Sequence, residues 1–282
     1  MNRRAALGLA AGGLAALAAP RAFAADEGGF TWGGRLVQGG YLIGRAATPR
    51  AHVEVNGKPI GQASAGGWFV VGFDRDEPRQ TAVATRGDVE AERRFTIEPG
   101  DFDIQRIDGL PRDQVAPTDP ALLERIARES KQKIAAFASV DDSENFRDGF
   151  AMPFQPTRRS SSFGGQRILN GQPQTPHYGV DLAAPAGTEI RAPAPGLVVL
   201  AEPAMHFEGG LTLIDHGQGL VAAFLHQSRQ MVRTGDRVVR GQPIGLVGQT
   251  GRATGPHLCW RLKWRARNLD PSLLVGSGAT LF

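Results

Sequence analysis

The segment His257-Leu258-Cys259-Trp260-Arg261-Leu262-Lys263-Trp264 alternates without a break between polar or ionisable residues and large apolar ones. A period of two belongs to an extended strand whose successive side chains point to opposite sides. One face, Leu258, Trp260, Leu262 and Trp264, must enter a core; the other presents an imidazole, a thiol and two cations to a cleft. The remainder of the chain is cut into comparable pieces. With 37 glycines and 19 prolines among 282 residues, turns recur too often for long helices, and the expected fold class is mostly β.

Between about residues 29 and 97 the apolar stretches are Leu36-Val37-Gln38-Gly39-Gly40, His52-Val53-Glu54-Val55-Asn56-Gly57, Trp68-Phe69-Val70-Val71-Gly72 and Thr81-Ala82-Val83-Ala84-Thr85. Val53 and Val55 alternate with polar neighbours, and Asn56-Gly57 is a strong hairpin turn. This spacing predicts a small N-terminal β-sandwich over residues 25–100 that acts as a spacer or substrate-orienting module, with His52 on its surface. Residues 101–148 read as a linker. Within it Asp119-Pro120 supplies a cap and a first-turn proline for a helix over about 120–138, with Leu122, Leu123, Ile126, Ile134 and Phe137 on one side. Asp141-Asp142-Ser143-Glu144 lacks the spacing of a calcium loop and reads as solvated linker. Residues 149–282 form a second module of short strands near 189–192, 196–201, 211–215, 220–225, 238–239, 243–247 and 257–264.

The first 24 residues have the form of an export signal: Asn2-Arg3-Arg4, an Ala/Leu/Gly run, and Ala22-Phe23-Ala24 as a cleavage site. The paired arginines allow a twin-arginine route as well as the general secretory one, so the mature chain is expected in a periplasmic or extracellular space. The apolar run is too short for a bilayer span, and no later segment supplies one. Losing Arg3, Arg4 and Arg21 takes the formal charge from +4 to +1, which weakens a nucleic-acid reading of the high pI. The charge is unevenly placed, however: residues 145–282 carry 14 Lys/Arg against 8 Asp/Glu, and residues 25–144 carry 15 against 20. A basic module in an exported chain suits an anionic polymer or simply a solvated surface.

Cys259 is the only cysteine, so no internal disulfide exists, and an exported thiol is an oxidation hazard unless buried or metal-bound. It stands two residues after His257, and His177-Tyr178-Gly179-Val180-Asp181 lies some eighty residues upstream. Imidazole, carboxylate and thiolate together suit Zn²⁺ in an open three-ligand site. His177 and Asp181 cannot reach one ion from a flat strand, in which four residues span about 13 Å. A bend is therefore expected at Tyr178-Gly179, where glycine permits unusual dihedrals.

The segments Ser162-Phe163-Gly164, His177-Tyr178-Gly179-Val180-Asp181-Leu182-Ala183-Ala184-Pro185, Ile214-Asp215-His216-Gly217, Phe224-Leu225-His226, Gly235-Asp236-Arg237-Val238, Gly241-Gln242-Pro243-Ile244-Gly245 and Thr254-Gly255-Pro256-His257 resemble the lysostaphin and LytM type of zinc metallopeptidases, which cut peptide bonds in peptidoglycan. The similarity spans about residues 150–270. It implies a C-terminal antiparallel-β zinc peptidase domain acting on peptidoglycan peptide stems, with His177 and Asp181 as metal ligands and Cys259 in place of the second histidine of the family's His-x-His motif. The same resemblance makes His257 and His226 catalytic groups that assist the water and the developing oxyanion, and makes His216 structural. A D-Ala to diaminopimelate cross-link is the bond it implies for a Gram-negative exporter. The weaker outline of the N-terminal module is similar to accessory domains of exported members.

Zinc accepts thiolate, but His, Asp⁻ and Cys⁻ leave the site neutral where two histidines would leave +1. Lower Lewis acidity follows, so a Cys259→His variant is expected to be more active or to have a less alkaline optimum. The competing reading is a catalytically degenerate member that binds cell wall or activates another hydrolase. A biotinyl-carrier reading of residues 235–245 fails for want of a hairpin lysine, since only Lys263 lies beyond Lys133. Nucleic-acid binding finds no aromatic interleaving. The sequence identifies no protein partner.

Overall fold

The computed structural model describes residues 29–111 and 115–276; the expected export signal lies outside them. The N-terminal module holds strands β1 (Phe30–Arg35), β2 (Tyr41–Ala46), β3 (His52–Val55), β4 (Lys58–Gln62), β5 (Trp68–Gly72), β6 (Gln80–Arg86) and β7 (Ala91–Thr96). They form a three-stranded sheet ordered β1-β2-β5 and a four-stranded one ordered β4-β3-β6-β7. Leu42, Phe69 and Val71 from the first and Val53, Val55, Val83 and Phe95 from the second share one core, which is the sandwich the alternation predicts. Asn56 and Gly57 turn the β3–β4 hairpin with φ of 51° and 71°, the positive pair that a two-residue turn needs. Leu36 to Gly40 is not a strand: it carries the chain from β1 to β2, and only Val37 makes an isolated bridge, to Glu98. Its paired glycines outweigh its two apolar residues.

The linker contributes a strand that its composition conceals. β8 (Ile104–Ile107) pairs in parallel with β10 (Gln166–Leu169), which also pairs with β11 (Gln172–Pro173). Helix α1 (Pro120–Phe137) begins at the predicted cap, with the Asp119 carboxylate accepting from Leu122 N at 2.9 Å. Its apolar side is poorly covered. Leu123 and Ile134 are 46% and 66% exposed, and only Ala136 is fully buried. The helix is held to residues 204–208 of the C-terminal module by polar contacts instead: Arg125 to the Ala204 carbonyl, Glu129 to His206 N, and Lys133 to Glu208. The acidic loop that follows is tied down at both ends rather than solvated, with Asp141 on Arg237, Asp142 on Arg50 and Glu144 on Ser64.

The C-terminal module adds β9 (Arg158–Ser161), β12 (Val180–Ala183), β13 (Glu189–Arg191), β14 (Gly196–Met205), β15 (Gly209–Asp215), β16 (Leu220–Gln230), β17 (Arg237–Val238), β18 (Pro243–Val247), β19 (His257–Trp264), β20 (Arg267–Leu269) and a short 3₁₀ turn, Pro271–Leu274. One sheet runs β17-β14-β15-β16-β19-β12-β9, and its neighbours are antiparallel. β19 sits inside it, between β16 and β12, and sends Leu258, Trp260, Leu262 and Trp264 into the large core. Cys259 points to the opposite face, among Leu211, Leu213, Val221, Ala223 and Leu225.

The large core is continuous between modules. A Cβ at Gly72 of β5 would lie 2.8 Å from Leu269 Cδ2 and 3.0 Å from Trp264 Cβ, so a side chain there would hold the two modules apart. Arg267 then bonds the Gly72 carbonyl and the buried Glu77 carboxylate at 2.8 and 3.1 Å. The N-terminal module is thus packed against the back of β19, and is no tethered spacer.

Candidate metal centre and flanking histidines

Two strands and one bend bring the predicted ligands together. In the β12–β19 ladder Asp181 stands directly opposite Cys259, and residues so paired in an antiparallel sheet share a face. His177 precedes β12, and the chain bends at Gly179 before the strand begins. The bend is where the sequence placed it, but its cause differs. Gly179 does not adopt a positive φ among the residues that do. Its need is space, because a Cβ would meet Arg261 Cγ at 2.7 Å, the Trp260 carbonyl at 2.9 Å and Cys259 Sγ at 3.2 Å.

The result is a buried cluster in which one donor atom from each of His177, Asp181 and Cys259 lies within 4.8 Å of the others. His177 Nε2 is 3.2 Å from Asp181 Oδ1 and 3.3 Å from Cys259 Sγ. The edges of a tetrahedron with zinc-type bond lengths are about 3.3 Å for N to O and about 3.6 Å for N to S, so the donors are already spaced for such an ion. Asp181 Oδ1 is buried with no hydrogen-bond partner, since its approach to His177 lacks hydrogen-bond geometry. An orphaned carboxylate oxygen is costly unless something cationic completes it.

The donor set is oriented from behind. Ser161 donates to Gln105 Oε1 at 2.8 Å, which leaves its oxygen to accept from His177 Nδ1 at 2.8 Å. This order fixes the proton on Nδ1 and turns the Nε2 lone pair into the cluster, the usual outer support of a metal-bound imidazole. Arg167 Nη2 holds Asp181 Oδ2 at 2.8 Å, and Arg261 Nε donates to Cys259 Sγ at 3.4 Å. Burial would lower the His177 pKa, yet the Cys259 and Asp181 charges raise it. Asp181 is driven well below the usual carboxylate range: burial opposes ionisation, but His177 and Arg167 overcome it. A buried carboxylate and a sulfur around one imidazole make this a place suited to positive charge.

His226 and His257 flank the cluster, with ring centroids 4.8 Å apart. Their Nδ1 atoms meet the carbonyls of Thr250 and Gly255, both at 2.8 Å, so each ring carries its proton there and keeps Nε2 as an acceptor. Burial pulls His226 down to about 4 and also lowers His257. His257 Nε2 is 3.8 Å from Asp181 Oδ1. His226 sits at φ 65° in β16, a left-handed backbone that a non-glycine residue rarely adopts away from functional positions. It adjoins the irregular register where β16 leaves β15 for β18.

A cleft of about 410 Å³ opens over Asp181 and His257, walled by Arg158 and Ser161 on one side and by Gln105 and Arg106 of the linker on another. A narrower recess of about 60 Å³ joins Asp181, His226 and His257 beneath Ile107 and Leu110. His216 is remote, fully buried, and bonded through Nδ1 to the Pro195 carbonyl. Lys263 covers the Phe137 ring at 5.1 Å and does not join the site. The supporting residues Gln105, Ser161, Arg167 and Arg261 carry no motif of their own. Ser161 adjoins Ser162-Phe163-Gly164, and Arg261 shares the polar face of β19, but nothing in the linker's composition marks Gln105.

The profile of peptidase family M23 matches residues 175–271. The Vibrio cholerae peptidoglycan DD-endopeptidase ShyA is 40% identical over 117 residues, 40% of this chain and 26% of the relative. ShyC of the same organism is 42% identical over 108 residues, 38% of this chain and 24% of the relative. The chain therefore spans about a quarter of the length of these curated relatives. A crystal structure of a Pseudomonas aeruginosa protein assigned to peptidase M23 is similar over 86% of this chain and 96% of its own, with 31% identity and a TM-score of 0.65. Since that likeness takes in both β modules and the profile takes in the clustered His, Asp and Cys donors, the chain belongs to peptidase family M23.

Proposed function

We propose that this chain is an exported zinc metalloendopeptidase that hydrolyses peptide cross-links of peptidoglycan. The observation that carries the reading is the convergence of His177, Asp181 and Cys259 on one buried point, with an unpartnered carboxylate oxygen facing it. The substrate class is supported by relatives named as peptidoglycan DD-endopeptidases. His177 Nε2, Asp181 Oδ1 and Cys259 Sγ would hold the metal, which when bound supplies Lewis acidity to the scissile carbonyl.

The chain's own part in the chemistry is proton handling. His226 and His257 both enter the reaction neutral, each with Nε2 free to accept, because a backbone carbonyl holds the other nitrogen's proton. One takes a proton from the attacking water as the C–O bond forms. The C–N bond then breaks, and the same proton passes to the departing amine, so no external acid is needed. Burial pulls His226 down to about 4 and lowers His257 as well, which favours the uncharged form of both rings. The walls contributed by Gln105 and Ser161 confine the approach of the substrate and hold His177 in one orientation.

A second reading has a specific observation in its favour. Cys259 is 1% exposed and lined by aliphatic side chains on its sheet face, as a thiol with a packing role would be; the protein would then bind cell wall or activate another hydrolase without cutting. Metal analysis of the purified mature protein, followed by incubation with sacculi and mass spectrometry of the released peptides, separates the two. One equivalent of zinc and newly freed stem peptides support the endopeptidase. Zinc-free protein, or intact sacculi with the zinc form, sinks it.

A further inference from the structure

A thiolate at a ligand position changes what its neighbours must do, and the neighbour that responds is Arg261. It lies two residues beyond Cys259 on the same face of β19. Its Nε–H donates to Cys259 Sγ at 3.4 Å, and among the described residues no carboxylate lies within ion-pair distance of its guanidinium. The stem is accommodated with equal care, since it is Arg261 Cγ that a side chain at Gly179 would strike first. The bend that delivers His177 and Asp181 is therefore shaped around this arginine. Across the cluster the arrangement repeats: Asp181 has Arg167 at 2.8 Å, so each anionic donor carries its own guanidinium.

Resting on the metallopeptidase reading above, we propose that Arg261 is a positioning residue for a metal-ligating Cys259: its Nε–H orients the thiolate and withdraws electron density from sulfur, so that the two side chains form one functional unit. A charge-assisted N–H···S bond of this kind makes sulfur a weaker electron donor. Part of the Lewis acidity that a second anionic ligand takes from the metal is thereby returned. The consequence for substitution is direct. In Cys259→His the Nε–H loses its acceptor, and a half-buried cation is left beside a metal whose ligands now carry only one negative charge. Histidine alone is then no improvement, and becomes one only when Arg261 is replaced too.

The test is a double-substitution cycle on the full chain, read by zinc affinity in chelator competition and by the sulfur-to-metal charge-transfer band of the cobalt(II) form. In the native background Arg261→Met is expected to weaken zinc by roughly tenfold to a hundredfold, because the lost orientation of the sulfur outweighs its stronger donation, and to move the cobalt band to lower energy through that stronger donation. In the Cys259→His background the same replacement is expected not to weaken zinc. Arg261→Gln, neutral but still an N–H donor, serves if the methionine variant does not fold; its shift should have the same sign and be smaller. An unmoved band, or an equal loss of affinity in both backgrounds, overturns the unit while leaving the metal site standing. Failure of the native chain to bind zinc or cobalt overturns the metallopeptidase reading and this inference with it.

Discussion

Glu77 in the N-terminal module and Asp181 in the C-terminal one are buried almost equally, at 4% and 7% exposure, and they do opposite things. Every Glu77 oxygen is spoken for: Oε1 accepts from the Thr81 hydroxyl, and Oε2 accepts from Asp74 N and pairs with Arg267. Asp181 gives Oδ2 to Arg167 and leaves Oδ1 without a hydrogen bond, facing the His177 and His257 rings. The first carboxylate completes the join between two modules; the second keeps one buried oxygen without a hydrogen bond, as the proposed metal site requires. Burial of a charge is common to both, and only its satisfaction separates structure from function.

The sharpest way to break this contrast is to neutralise each group. Asp181→Asn should abolish zinc binding and lower peptidoglycan hydrolysis by roughly a thousandfold or more, since a metal supplies several kcal/mol of charge stabilisation, with the melting temperature of the metal-free protein little changed. Glu77→Ala should retain zinc and lose about 3 kcal/mol of stability in urea unfolding. A metal-free Glu77 variant, or an Asp181 variant with full zinc content, would remove the distinction.

The two buried histidines extend the same comparison. Burial lowers both His216 and His226 to about 4, below the value of about 6.5 they would have unfolded. The unfolded chain therefore binds the extra protons first, and stability is lost as pH falls from about 6.5 toward 4. For His216, which is wholly enclosed, the loss amounts to about 3 kcal/mol over that interval. His216→Leu should flatten this acid limb in denaturation at graded pH while leaving hydrolysis nearly intact. His226→Ala should cut turnover by a factor of about a hundred to ten thousand with the zinc content unaltered. Smaller again is the effect of Ser161→Ala, which frees the His177 ring and should weaken zinc by about tenfold without touching a ligand; unchanged affinity would show that Gln105 and Ser161 only pack.

The alternation of residues 257–264 announced β19 and its two faces, and Asp119-Pro120 announced the helix start, because these signals are local. His177, Asp181 and Cys259 could be grouped as donor types, and the need for a bend followed from strand geometry. What could not be read was anything set by register between distant segments. Asp181 opposite Cys259, and the linker strand β8 beside β10, exist because strands far apart in the chain pair, and pairing leaves no periodic mark. The Leu36 to Gly40 turn was missed, and the exposure of Leu123 and Ile134 was not legible, for a related reason: apolar content alone does not say whether a partner surface is there to receive it. The contact of Arg261 Nε with Cys259 Sγ was equally hidden, because it depends on which way the arginine side chain leans along the strand.

Strand β8 has a practical corollary. A fragment cut at residue 149 would keep all five of His177, Asp181, His226, His257 and Cys259, yet Ser161 would exchange Gln105 for water, and Trp264 and Leu269 would lose the cover of Gly72. Such a trimmed domain would release zinc faster and clump more readily than the intact chain, so turnover recorded on it would describe a different catalyst.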